Sequence, residues 1–412
     1  MVLLQDKKRA VFYIVFGVFY LFLVSYGYGA VRVLLTSVLK KRLYWFLTLI
    51  PFVFGTPLRY LGLSLGPKWD AYLTGLLFAI TIGLLLVSAL LLLEDLYRLG
   101  LLVKKKIQQL LGKDQPMKID RRRFLSATAV GVGALPFFSL LIGMGARNKY
   151  TLHTYELSFD LLPKAFDGYT IIQISDLHLG SFSSLEEFQP GLDLVNEQEA
   201  DLLLFTGDMV NNQSAEALPY INALAGLKAK DGKYAVLGNH DYGTYNRDFS
   251  DEMADKDVQQ LLAIQKQMGF KTLNNESVFI PRDDSYFNLV GVENWGTGRF
   301  LKAGDLTKAT VSIDTDVFTL LMSHDPSHWE AEVVGFEKKI DLCLSGHTHG
   351  FQFGVEIAGY KWSPSQYRYP QWAGMYEQND RLINVNRGFG YLGYPGRFGI
   401  WPEITRIRLK SS

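Results

Sequence analysis

Charged positions vanish from three stretches in the first third of the chain. Residues 10–31 run for 22 positions, 71–93 for 23 and 124–146 for 23 without Lys, Arg, Asp or Glu. A helix advances about 1.5 Å per residue, so each run can cross a hydrocarbon core roughly 30 Å thick. A fourth apolar stretch, 43–65, contains Pro51 and Pro57 and carries Arg59 near its end, from where a long side chain reaches the headgroups. Four membrane helices are therefore predicted, at 10–31, 43–65, 71–93 and 124–146, within a transmembrane domain covering 1–149. A buried soluble bundle is the competing reading, but buried helices seldom run this long without charge.

Beyond residue 150 the pattern changes to short apolar runs that end in polar clusters. Tyr169–Ser175 runs into Asp176 and His178, Asp201–Thr206 into Gly207-Asp208, and Lys233–Leu237 into Gly238-Asn239-His240-Asp241. Val317–Met322 leads to Ser323-His324, and Asp341–Leu344 to Ser345-Gly346-His347-Thr348-His349. Continuous apolar strands imply a sheet covered on both faces. Helices fit around 185–200 and 251–268, so 150–412 reads as an α/β domain. Ligands of such sheets gather beyond the carboxyl ends of the strands, where these polar clusters fall.

Charge divides the chain the same way. The 412 residues carry a net charge of +1, but residues 1–150 hold twenty Lys and Arg against six Asp and Glu. The remainder holds 22 against 35. The acidic second part lacks the basic footprint a nucleic-acid binder needs, and no nucleic-acid surface is expected. A single cysteine, Cys343, excludes an intramolecular disulfide framework and a multi-Cys zinc site. Between the third and fourth apolar runs lie Arg98, Lys104, Lys105, Lys106, Lys113, Lys118, Arg121, Arg122 and Arg123. Excess Lys and Arg marks cytoplasmic loops, which sends everything after the fourth helix out of the cytoplasm. Lys40, Lys41 and Arg42 agree with this; Lys7, Lys8 and Arg9 oppose it and are outnumbered. Arg121 to Leu125 also resembles a twin-arginine export signal, or is the basic flank of a retained anchor; both place the second domain outside.

Five of the seven histidines occupy the strand ends: His178, His240, His324, His347 and His349. Interleaved with Asp176, Asp208 and Asn239, they form a mixed imidazole, carboxylate and amide donor set that suits first-row divalent cations. Asp176 and His178, two apart in extended chain, share a side, as do His347 and His349. The order Asp-x-His, Gly-Asp, Gly-Asn-His-Asp, His, Gly-His-x-His resembles the calcineurin-like metallophosphoesterase superfamily over 151–412. The tail from Arg387-Gly388-Phe389-Gly390 to Pro402-Glu403-Ile404 is similar to its bacterial membrane-associated or exported phosphodiesterase branch. Phe351 departs from that branch, which often has Gly there.

The resemblance implies a four-layer αββα sandwich and two divalent metal ions (Mn, Fe or Zn). Asp176, His178 and His349 would hold the first ion, Asn239, His324 and His347 the second, with Asp208 bridging. Two such ions clamp the attacking and leaving oxygens of an in-line displacement and supply hydroxide at neutral pH. His240 would protonate the leaving group, with Asp241 either orienting His240 or serving as a turn residue. Arg387 and Arg397 either grip substrate phosphate or form salt bridges. His328 is a spare ligand or a turn residue, and His153 is structural. The aromatics of 360–376 form a substrate lip, rest at the bilayer interface, or pack within a long loop.

These features imply a multi-pass protein of the bacterial inner membrane whose extracytoplasmic domain hydrolyses a phosphodiester or lipid-linked phosphoester. Its expected partners are that substrate and the bilayer, with no obligate protein partner. A lipid pyrophosphatase resembling UDP-2,3-diacylglucosamine pyrophosphatase is the enzymatic alternative. A membrane metal-binding scaffold is the non-enzymatic one.

Overall fold

The computed structural model describes residues 2–55, 65–111, 122–246, 248–298 and 300–412. It forms two compact units, Met1–Met144 and Gly145–Ser412.

The first unit is helical: α1 (Val2–Leu34), α2 (Val38–Gly55), α3 (Pro67–Leu110) and α4 (Arg122–Gly145). Among the described residues, three segments are long and apolar enough to cross a membrane: Ala10–Leu34, Trp69–Leu110 and Phe124–Gly145. The stretch predicted at 43–65 begins inside α2, which starts earlier at Val38 and buries Pro51; its residues 56–64 lie outside the described residues. Helix α3 runs for 44 residues, well past the apolar stretch that predicted it. Its extension carries Glu94 paired with Arg98, then Lys104 to Lys106.

In a hydrocarbon solvent helices associate through close packing and polar contacts. Here the Tyr20 hydroxyl donates to the Thr48 carbonyl and the Tyr44 hydroxyl to the Val24 carbonyl, both at 2.7 Å, tying α1 to α2. Where α3 meets α4, a Cβ on Gly133 would sit 2.6 Å from the Gly83 carbonyl oxygen. Only glycine permits that approach.

Among the described residues the second unit has fourteen strands. In chain order they are β1 (Thr151–Phe159), β2 (Thr170–Ile174), β3 (Leu202–Phe205), β4 (Lys233–Ala235), β5 (Phe270–Thr272), β6 (Glu276–Arg282) and β7 (Ser285–Gly291). There follow β8 (Thr319–Met322), β9 (Leu342–Ser345), β10 (Val355–Ile357), β11 (Tyr360–Trp362), β12 (Gly374–Gln378), β13 (Arg381–Val385) and β14 (Glu403–Ser411). One six-stranded sheet has the order β1-β14-β2-β3-β4-β5, the other β12-β13-β9-β8-β7-β6, and β10-β11 is a separate hairpin. Strands β2 to β5 run parallel, as do β13, β9, β8 and β7.

Period-two alternation sorts the strand residues between layers. Ile171, Leu202 and Leu204 of the first sheet meet Leu289, Leu320 and Leu342 of the second in one core between the sheets. Their neighbours Ile172, Leu203 and Phe205 face outward, against α5 (Leu185–Asn196), α6 (Ile221–Ala225) and α7 (Asp251–Gln267). On the far side Leu321, Cys343 and Ile383 are covered by the short α8 (Leu306–Ala309) and by Trp329 and Val333 of a π-helical turn. The result is the four-layer αββα sandwich. Buried Gln173 ties the sheets, donating to the Ser345 carbonyl at 2.9 Å and accepting from Asn384 at 2.8 Å.

Candidate metal centre

The functional loops are held by one another before any ligand is considered. After β2 the Asp176 amide donates to the Gly207 carbonyl and the His178 amide to the Asp208 carbonyl, at 2.8 and 3.1 Å. The His347 amide donates to the Asp176 carboxylate at 3.0 Å, and the Gly346 amide to the His324 carbonyl at 2.9 Å. A Cβ on Gly238 would collide with the Asp208 carboxylate. Asp176, His178, Asp208, His347 and His349 all have φ between 46° and 71°. Asp and His tolerate this left-handed region better than most residues, yet each instance still costs on the order of 1–3 kcal/mol. Five in one site mark a backbone bent for a purpose other than stability.

The bent loops gather seven donors in two groups. Asp176, His178 and His349 form one, with His349 Nε2 lying 2.9 Å from His178 Nε2 and 3.2 Å from Asp176 Oδ1. Asp208, His324 and His347 form the other. Asp208 Oδ2 lies between the groups, 3.2 Å from His324 Nε2 and 3.6 Å from His178 Nε2. Its Oδ1 accepts the His240 amide at 2.8 Å. Asn239 gives its Nδ2 to the Tyr245 hydroxyl at 2.9 Å, which leaves Oδ1 buried and without a partner among the described residues. His324 donates Nδ1–H to the Thr206 carbonyl at 2.7 Å, so its buried Nε2 has only the Asp208 carboxylate, 3.2 Å away, to face. His347 Nε2 is taken up by the Tyr369 hydroxyl at 2.8 Å, which leaves Nδ1 as its free donor.

Electrostatics points the same way. Burial pushes His178 down to about 3 and also lowers His347, so both rings are neutral and offer lone pairs. Asp208 and Asp176 are both buried, which raises a carboxyl, but the imidazoles of His324 and His349 respectively hold them well below the usual range. His324 is pushed up to about 10: burial opposes this, and the Asp208 carboxylate outweighs it. A proton on His324 there neutralises a carboxylate that a bound cation would otherwise neutralise. The orphaned Asn239 Oδ1, the buried carboxylates and the neutral rings of His178 and His347 together fit a pair of divalent first-row cations.

His240 is placed differently. Its ring stacks on Tyr245 with centroids 4.1 Å apart, and Nδ1–H donates to the Asn211 carbonyl at 2.6 Å, so the other edge borders a cavity of about 300 Å³. Asp208, Asn239, His347 and His349 line the same cavity, with Phe300, Phe351, Pro364 and Leu392 at its apolar side.

Residues 169–351 match the calcineurin-like phosphoesterase model, and residues 8–146 match one described as the probable calcineurin-like phosphoesterase transmembrane domain. The metallophosphoesterase YkuE of Bacillus subtilis is 32% identical over 313 residues, covering 72% of this chain and 99% of YkuE. The chain belongs to the calcineurin-like phosphoesterase family. It is a membrane protein and a hydrolase of phosphoester bonds. The phosphodiesterase YaeI of Escherichia coli is 28% identical over 298 residues, 71% of this chain and 99% of YaeI. The UDP-2,3-diacylglucosamine pyrophosphatase LpxG of Chlamydia muridarum is 29% identical over 304 residues, 60% of this chain and 86% of LpxG.

Within this phosphoesterase several sequence expectations need correction. Asp241 does not orient His240. Its two oxygens accept the amides of Asp208, Gly238, Met209 and Val210, at 2.9, 2.9, 2.8 and 3.3 Å, which splints the loops after β3 and β4. Arg387 is 2% exposed and spent on Glu403 at 2.6 Å and Glu356 at 2.8 Å. Arg397, 0% exposed, donates to the Gly390 carbonyl and lies 3.1 Å from Nδ1 of His349. Neither lines the cavity. His328 is no surface turn: it is buried between Ser323, Glu332 and the Trp295 ring. The aromatics of 360–376 divide, with Tyr369 and Trp372 buried and Tyr360 and Tyr367 exposed.

Sequence reasoning missed Asp325, Tyr245 and Arg368, and the particular part Tyr369 plays. Asp325 is buried with Oδ2 3.5 Å from His347 Nε2. Tyr369 fixes the same ring, and Tyr245 fixes His240. Arg368 lines the cavity mouth, its guanidinium 5.3 Å from the Phe300 centroid and 5.4 Å from that of Tyr369. Asp325 follows His324 directly, the one local signal; the others are recognisable only once the loops are folded.

Proposed function

We propose that the chain uses two divalent metal ions to hydrolyse a phosphodiester or a lipid-linked phosphoester at the outer face of a bacterial inner membrane. Residues 1–149 are the anchor and 150–412 the catalytic domain. Asp176, His178 and His349 hold one ion, Asn239, His324 and His347 the other, and Asp208 bridges them; Mn, Fe and Zn all suit these donors. When bound, such a pair neutralises phosphoryl oxygens and acidifies water. Around it the protein's own groups orient and transfer. His240, braced by Tyr245 and the Asn211 carbonyl, acts as the imidazolium: Nδ1–H stays on that carbonyl while the Nε2 proton passes to the departing oxygen, leaving a neutral ring. Arg368 at the mouth takes the substrate's remaining anionic oxygen in place of Arg387 and Arg397.

The observation that carries this reading is the placement of Asp208 Oδ2 between the imidazoles of His178 and His324, with Asn239 Oδ1 left over as a donor. Full-length protein in nanodiscs is expected to hydrolyse bis(p-nitrophenyl) phosphate only when loaded with metal. Asp208→Asn is expected to lose both ions and all turnover. A metal-loaded wild type that cleaves no phosphoester, or an Asp208→Asn variant of undiminished activity, would overturn it. A lipid pyrophosphatase is the second reading, favoured by the similarity to LpxG. Its substrate lies in the cytoplasm, so a reporter fused after Ser412 separates the two by the side on which it is active.

A further inference from the structure

Large apolar side chains that face water in a group need a reason to do so. Here they run from Phe351 at the cavity through the hairpin β10-β11 to Tyr367, whose hydroxyl meets Trp362. Tyr367 is 79% exposed, Ile357 69%, Tyr360 64% and Phe351 60%; Ile357 and Tyr360 face each other as a cross-strand pair in the hairpin β10-β11. Phe351 holds a φ of 58°, a conformation a bulky residue adopts only at a cost. That cost is spent on an aromatic ring which the protein itself does not bury.

The same face holds the point where the chain enters the second unit. Lys149 lies over the Trp401 ring at 5.5 Å, Trp401 meets Phe398 with centroids 6.5 Å apart, and Phe398 stacks on Phe353 at 5.8 Å. Phe353 stands between Phe351 and the hairpin. By a second route, Arg147 lies 5.5 Å over Tyr391, whose neighbour Leu392 lines the cavity. The membrane-spanning α4 ends at Gly145, two residues before Arg147. A chain covers at most about 3.6 Å per residue, so Arg147 lies no more than about 7 Å past the end of that helix and Lys149 no more than about 14 Å. Lys149 is exposed on this face of an otherwise acidic domain, as attraction to anionic headgroups requires.

We propose that the β10-β11 hairpin and the neighbouring Tyr367 form a docking surface for the lipid bilayer, seating the mouth of the catalytic cavity on the membrane. Aromatic and aliphatic side chains enter the headgroup layer, and basic groups contact its phosphates. The proposal rests on the membrane anchor and this surface, and holds whichever phosphoester is cleaved.

The test uses the full chain in nanodiscs containing anionic lipid. The single native cysteine, Cys343, is buried, so Ile357→Cys can be labelled selectively with an environment-sensitive fluorophore; Phe279→Cys, on β6 and exposed, is the comparison. The Ile357 probe is expected to emit to the blue of the Phe279 probe and to be quenched by nitroxide-labelled lipid, while the Phe279 probe is not. Equal exposure of both probes to water overturns the proposal, as does equal quenching of both. So does cross-linking of Ile357→Cys into dimers without lipid quenching, which would make the partner a second copy of the chain. In a second arm, the double variant Ile357→Ser, Tyr360→Ser is expected to lose about tenfold in turnover of a vesicle-borne phosphodiester, equivalent to roughly 1.4 kcal/mol. Its turnover of bis(p-nitrophenyl) phosphate stays unchanged. Equal loss on both substrates would overturn the proposal. The probe arm needs no catalysis, so it remains decisive if the phosphoesterase reading fails.

Discussion

Burial, and then the Asp208 carboxylate, push the Asp241 carboxyl up to about 7 against its amide donors; above that pH, replacing it by Asn removes one formal charge and almost no volume, yet strikes the splint between two metal loops. The carboxylate accepts four backbone amides, two on each oxygen. An asparagine can keep one pair; its NH₂ then points at the other two N–H groups, which are buried. Hydrogen bonds to a charged acceptor contribute about 1.5–3 kcal/mol each, so losing two costs roughly 3–6 kcal/mol. At about 2–4 °C per kcal/mol for a domain of this size, the melting temperature is expected to fall on the order of 10 °C. Because one of the orphaned amides belongs either to Asp208 or to its neighbour Met209, metal affinity falls with stability. Thermal denaturation of full-length protein and elemental analysis of the purified variant measure both. A variant with the melting temperature and metal content of the wild type, but a displaced pH profile of kcat, would refute the splint. It would restore the reading in which Asp241 acts through His240.

Other perturbations separate the remaining roles. Asn239→Ala is expected to lower the bound metal from two ions per chain to one, read by elemental analysis, while leaving the first donor group intact. Arg368→Ala is expected to raise KM about tenfold with kcat little changed, as loss of uniform binding requires, and Arg368→Lys to recover part of it; a fall confined to kcat would refute that role. Glu403→Gln breaks the buried pair with Arg387 and is expected to cost about 3–5 kcal/mol by urea denaturation. Burial alone would raise the Glu403 carboxyl, but Arg387 holds it below its ordinary 4.5. The stability it contributes is therefore complete above about pH 4.5 and lost as pH falls through the lower folded value, and the variant's stability should lack that acid limb.

The ends of β2, β3, β4, β8 and β9 were legible because each apolar run stops at an Asp, Asn or His, a purely local signal. The parallel pairing of β1 with β14 was not, since it joins Thr151 to Glu403 and neither strand is a continuous apolar run. Arg387 illustrates the limit for chemistry. A guanidinium suits a phosphate and a carboxylate equally, and only the folded chain brings Glu356 and Glu403 to it. Asp241 shows the same: its position beside His240 in sequence suggested a partnership, whereas the tight turn at Asn239–Tyr242 aims the carboxylate back at the amides of the β3 loop. In the membrane unit the uninterrupted apolar run of 71–93 located α3 but not its length. The polar continuation from Glu94 stays helical because it holds no proline and only Gly100 weakens it, and hydropathy carries no signal for such a segment.

The five left-handed donors also govern how this centre can be dissected by mutation. At Asp176 and Asp208 an alanine removes the ligand and simultaneously installs a side chain that fits the inherited dihedral angles less well, a penalty of about 1–2 kcal/mol for most residues. Asparagine accepts such angles, so it isolates the missing charge from the altered backbone. Alanine scanning here overstates each ligand's worth by a conformational surcharge unrelated to its chemistry.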